Sequence, residues 1–115
     1  MNSQDFIIKD GVLQKYLGHS ETVVIPEGVT DIGDGAFAEC NSIKSISIPN
    51  SVESIGDKAF LDCKSLTSIV IPDGVISIGD EAFFGCDSLK SIEVPKSVTH
   101  IGRNAFPVDA KIIRV

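Results

Sequence analysis

The sequence predicts a solenoid, one domain of stacked coils built on a parallel β-sheet, and three observations predict it. Prolines recur at Pro26, Pro49, Pro72 and Pro95, an interval of 23 residues that lies within the range of solenoid repeats. In the same register run Val29, Val52, Val75 and Val98; Ile32, Ile55, Ile78 and Ile101; Gly33, Gly56, Gly79 and Gly102; and the pairs Ala36-Phe37, Ala59-Phe60, Ala82-Phe83 and Ala105-Phe106. The units Pro49–Ile71 and Pro72–Val94 agree at 13 of 23 positions without a gap, which chance does not produce. A chain of 115 residues has room for one such domain and no second.

Residues 1–22 read as an N-terminal hairpin cap and residues 23–115 as about four repeats. In the cap, Phe6-Ile7-Ile8 and Val12-Leu13 flank Asp10-Gly11, the strongest short hairpin signal. A solenoid must seal its first coil from water, and Phe6, Ile8, Val12, Leu13 and Tyr16 supply the apolar lid. Each repeat then opens on a strand: Ile46 and Ile48, Ile69 and Ile71, and Ile92 and Val94 alternate with Ser47, Val70 and Glu93, the period of a strand with one buried face. The proline that follows cannot donate to a ladder and ends the strand. Val52-Glu53-Ser54-Ile55 and its equivalents form a second short strand, and the glycine after it allows a bend. Asp34, Asp57 and Asp80 then stand where a carboxylate caps a short helical turn. The phenylalanine column fills the interior, each buried ring contributing about 1.5–3 kcal/mol, and Ile43, Leu66 and Leu89 return the chain to the first sheet.

The last coil departs from this pattern. Arg103-Asn104 replaces Asp-x, Pro107 follows Phe106, Asp109 stands in place of cysteine and Lys111 in place of serine. Counting by 23 puts Val115 in register with Ile46, Ile69 and Ile92, so the final strand is an exposed edge.

The spacing Leu66-Thr-Ser-Ile69-Val-Ile71-Pro72, continued by Val75-Ile-Ser-Ile78-Gly79-Asp-Glu-Ala82-Phe83-Phe-Gly-Cys86, resembles the BspA-type leucine-rich repeat of bacterial surface proteins. The resemblance spans Val23 to Val115. It implies a right-handed leucine-rich-repeat solenoid with its parallel sheet on the concave side, and a surface or secreted, adhesive or host-contact role. Residues 1–22 also look like the N-terminal cap of that family. Fold membership does not supply a ligand.

The net charge of −6 has the wrong sign for neutralising nucleic-acid phosphates or anionic lipid. Apolar runs reach only three residues, as at Val23-Val24-Ile25, so no membrane insertion is expected. The start Met1-Asn-Ser-Gln-Asp has neither the basic opening nor the apolar core of a secretory signal, which leaves a cytoplasmic location open beside the surface one. Cys40, Cys63 and Cys86 recur with the repeat and so stack as a column of buried reduced thiols; neither this spacing nor the flanking residues suit zinc, and no metal or cofactor is expected. His19 and His100 have no evident nucleophile and read as surface histidines.

The sequence therefore points to a non-enzymatic protein-interaction module, an adhesin-like protein or a fragment of one, with a protein partner of unknown identity. The alternative is a structural unit that self-assembles, as a homodimer through its C-terminal edge at Ile112, Ile113 and Val115. Candidate partner-binding positions on the outward face of the first sheet are Lys44, Ser47, Thr67, Val70, Lys90 and Glu93. Leu61 and Phe84, directly after the recurring phenylalanine, extend an apolar stripe from Ala38 to Pro107: exposed, they would mark a patch for a partner; buried, they tuck under the neighbouring turn.

Overall fold

The computed structural model describes residues 3–115. After a 3-10 turn at Ser3–Asp5, the strands run β1 (Phe6–Lys9), β2 (Val12–Tyr16), β3 (Thr22–Val24), β4 (Asp31–Ile32), β5 (Ser45–Ser47), β6 (Ser54–Ile55), β7 (Ser68–Val70), β8 (Ser77–Ile78), β9 (Ser91–Val94), β10 (His100–Ile101) and β11 (Lys111–Arg114). Every coil contributes one strand to each of two sides. The second strands form an unbroken parallel ladder, β2-β4-β6-β8-β10, with β1 added antiparallel outside β2. The first strands form β3-β5-β7 and, separately, β9-β11. Partners such as Ser45↔Ser68 and Ser54↔Ser77 lie one 23-residue repeat apart, as the sequence period requires.

The cap forms as its turn chemistry dictates: Asp10 (φ 52°) and Gly11 (φ 82°) both take the left-handed conformation of a type I′ hairpin. The hairpin also belongs to the stack, because β2 pairs parallel with β4 and the Tyr16 N–H donates to the Ala36 carbonyl at 3.0 Å. Phe6, Leu13 and Tyr16 are buried, but Ile8 is 40% exposed and Val12 only partly covered. The expected five-residue lid is thus three residues, and a register shift between Ile7 and Ile8 accompanies the outward turn of Ile8.

The third side of the coil is not helical. Ala-Phe segments instead form tight turns whose alternate N–H groups reach the next coil. Gly35, Phe37 and Glu39 donate to Asp57, Ala59 and Leu61 at 2.9, 2.7 and 2.6 Å, and Lys58, Phe60 and Asp62 repeat this to Asp80, Ala82 and Phe84. Such alternation needs residues of left-handed backbone, and Gly35, Glu39, Lys58, Asp62, Glu81, Gly85 and Asn104 all have φ between 51° and 80°. A helix would direct these donors along its own axis; the turns spend them between coils. Asp34, Asp57 and Asp80 accordingly do not cap helices. Each Oδ1 accepts the N–H of the residue one repeat on, Asp57, Asp80 and Arg103, at 2.8 Å.

Six rings form a continuous spine, Phe6-Tyr16-Phe37-Phe60-Phe83-Phe106. The central centroid spacings, Phe37–Phe60 and Phe60–Phe83, are 5.1 Å, and the last, Phe83–Phe106, opens to 6.1 Å. The recurring glycine permits this tight stacking through its missing side chain, not through a positive φ. A Cβ on Gly79 would stand 2.6 Å from the Asp57 nitrogen, and one on Gly56 would stand 2.9 Å from the Ile32 carbonyl oxygen.

In the last coil the register differs from the 23-residue count. Ile112, not Val115, lies opposite Ile92. Phe106 is followed by a turn three residues shorter than the one after Phe83, so the strand arrives early.

Candidate interaction surfaces

The first-strand side turns Val23, Ile46, Ile69 and Ile92 into the core and leaves Val24, Ser47, Val70 and Glu93 exposed, as pleat alternation requires. Val70 is 75% exposed. Lys44, on the coil-side flank, meets Glu21 at 3.5 Å with both side chains in solvent, and the Thr67 hydroxyl donates to the Lys44 carbonyl at 3.1 Å.

This side is interrupted between β7 and β9, where no ladder joins the two strands although the second-strand ladder and the ring spine continue past the same step. A groove of about 360 Å³ marks the interruption. Its walls include Thr67, Ser68 and Val70 on one side, Ser91, Glu93 and Pro95 on the other, with Val115 and Asp73. Three candidate binding residues, Thr67, Val70 and Glu93, are therefore gathered at one place, and Val115 joins them. Lys44 and Ser47 lie outside it on the preceding coil.

Lys90 belongs to a different hollow of about 380 Å³, with Phe84, Leu89, Pro107, Val108 and Asp109 among its walls. The hollow lies beside the shortened last turn. The Lys64 ammonium sits at its rim, 3.5 Å from the Asp62 carboxylate and 3.4 Å from that of Asp87. Phe84 and Leu61 are half-buried and Pro107 is buried, so the stripe is largely tucked under neighbouring turns.

The cysteine column is a packing feature. The Cys63 thiol donates to the Phe37 carbonyl and the Cys86 thiol to the Phe60 carbonyl, both at 3.0 Å, across coils. Hydrogen bonding with Cys86 and burial hold the Cys63 thiol well above the ordinary thiol value of 9.0, and burial raises Cys40. Cys40, with no equivalent residue before it, is half-buried where full burial was expected. His19 and His100 are exposed, and the Nδ1 of His100 lies 2.9 Å from the Thr99 hydroxyl. Among the described residues no group of three His, Cys, Asp or Glu side chains is placed to hold a metal, and no helix is long and apolar enough to cross a membrane.

Comparison with known sequences and structures gives a consistent picture. The sequence pattern of the BspA type leucine rich repeat region matches residues 8–114 in six copies, the first beginning inside the hairpin. The T. pallidum leucine rich repeat protein is 30% identical with a TM-score of 0.85, over 99% of this chain and 64% of its own. A leucine-rich repeat protein from Bacteroides capillosus is 31% identical with a TM-score of 0.84, over 100% of this chain and 97% of its own. The pneumococcal vaccine antigen PcpA is 26% identical with a TM-score of 0.80, over 85% of this chain and 25% of its own. This chain thus spans less than two thirds of the T. pallidum protein. No curated protein matches it.

Proposed function

Because the chain belongs to the BspA-type leucine-rich repeat family, we propose that it is an adhesin-like protein-interaction module, acting at the cell surface or after secretion. Repeat stacking builds an extended face, and such faces engage protein partners. The observation that carries the reading is the groove between β7 and β9, which interrupts a serine- and threonine-rich face with the exposed Val70 and the carboxylate Glu93. Its chemistry suits an extended segment offering a small apolar group beside a cation. A surface location is supported by the similarity to a vaccine antigen, since antibody must reach such a protein.

The test uses two measurements. Intact cells producing the chain are treated with protease, and the purified chain is presented to a panel of extracellular matrix proteins. The reading expects cleavage on intact cells, and binding that Val70→Asp abolishes while leaving the denaturation midpoint unchanged. Protection from protease together with no binding to any matrix protein overturns it.

A further inference from the structure

Cys40, Cys63 and Cys86 share one register of the repeat, but their access to solvent differs. Cys63 and Cys86 are 1% and 0% exposed, whereas Cys40 is half-buried and opens onto a hollow of about 420 Å³ between the cap and the first coil. Lys15 and His19 stand in one wall of this hollow, Glu39 and Asn41 in the other. Both walls, residues 15–19 and 38–42, are internal to the chain, and neither borders the groove between β7 and β9. The Cys63 side chain reaches back into the coil of Cys40. The Phe37 carbonyl accepts the Cys40 N–H at 3.2 Å and the Cys63 thiol at 3.0 Å, so one oxygen holds both residues. Their coils stand 5.1 Å apart at the rings of Phe37 and Phe60, within the roughly 4.4–6.8 Å of Cα separation that a disulfide spans. Cys86 and Cys63 repeat the arrangement at the Phe60 carbonyl, but both are sealed in the core, so a reagent meets the column only at Cys40.

We propose that Cys40 is a modification site for low-molecular-weight disulfides, and that Cys63 resolves the adduct into a disulfide between the first two coils. In the first step the Cys40 thiolate attacks one sulfur of a disulfide R–S–S–R. A Cys40–S–R bond forms, the R–S–S–R bond breaks, and the departing thiolate takes up the proton that Cys40 lost. In the second step the Cys63 sulfur attacks that of Cys40 and displaces the remaining thiolate, which takes up the Cys63 proton. Two protein thiols are thereby oxidised to one disulfide, and the small disulfide is reduced to two thiols. Burial raises the Cys40 thiol and the Lys15 ammonium partly opposes this, so exchange quickens above neutral pH. The product ties the coil that carries the cap to the one after it, a constraint on the unfolded chain that raises stability.

Oxidised glutathione at mildly alkaline pH is the probe, with intact mass and peptide mapping followed over time on the native protein. One glutathione should add at Cys40 and then leave as a Cys40–Cys63 linkage forms; the denaturation midpoint should rise with the linkage and return on reduction. Cys63→Ala should accumulate the adduct at Cys40, Cys40→Ser should leave the native protein unmodified, and Cys86→Ala should change neither step. The time course of the parent protein decides by itself should a variant fail to fold. An adduct that persists at Cys40 of the parent, a linkage that still forms in Cys40→Ser, or no reaction until denaturant is added would each overturn the proposal.

Discussion

Replacing Phe60 by alanine removes the middle of the ring spine, and the structure sets the expected cost. Phe60 is 1% exposed and lies 5.1 Å from Phe37 and 5.1 Å from Phe83, nearly parallel to both. The coil of Phe37 is joined to that of Phe60 by backbone hydrogen bonds on three sides and the coil of Phe83 on two, so neither can collapse into the space. The loss is therefore expected at the upper part of the range for buried phenylalanine, about 4–5 kcal/mol. Two ring–ring contacts account for roughly 0.5–1.5 kcal/mol each of that. Phe106 provides the control, since it has one ring neighbour at 6.1 Å and is only partly buried. Phe106→Ala should cost about 1–2 kcal/mol, less than half the fully buried loss. Urea denaturation followed by circular dichroism measures both. With a slope of about 1–3 kcal/mol/M, Phe60→Ala should lower the midpoint by about 1.3–5 M, and at the same slope Phe106→Ala by less than half as much. Equal shifts for the two variants would show that the spine is not the continuous buried element argued for.

Gly79→Ala should destabilise by about 1–3 kcal/mol in the same assay, because its Cβ would press on the Asp57 backbone; a neutral result would refute the close-approach role. Lys58→Gly should stabilise by about 0.5–1 kcal/mol, since Lys58 holds a φ of 57° at a position where the first coil uses Gly35; a loss of stability would refute that assignment. Thiol labelling of the native protein should modify half-buried Cys40 well before Cys63 and Cys86, and equal rates would be inconsistent with the buried column. The raised Cys63 thiol gives the folded state more bound protons than the unfolded one as the pH rises through the ordinary thiol value of 9.0. Its contribution is therefore complete below that pH and declines as pH rises above it, and Cys63→Ala should flatten the alkaline loss in a pH series of denaturation midpoints.

Period, columns and cap were legible in the sequence because each is recorded by residue type. A position facing the same packing environment in every coil keeps the same side chain, so Phe37, Phe60 and Phe83 announce their stacking, and Asp10-Gly11 announces a turn that only left-handed residues can make. Of the candidate surfaces, the outward face of the first strands was equally legible from alternation. Where residues obey no type preference, only the folded chain decides. Lys58 and Glu81 are not residues that favour positive φ, yet hydrogen bonding to the next coil imposes it, so the third side is a stack of turns and not of helices. The gathering of Thr67, Val70, Glu93 and Val115 around one groove depends on the spacing of two strands 23 residues apart, to which neither strand's sequence refers. The early arrival of β11 follows from a shortened turn, whose effect on register appears only when Ile112 is set against Ile92. Side-chain pattern fixes what each residue packs against within its column, and the geometry between coils fixes which columns stay covered.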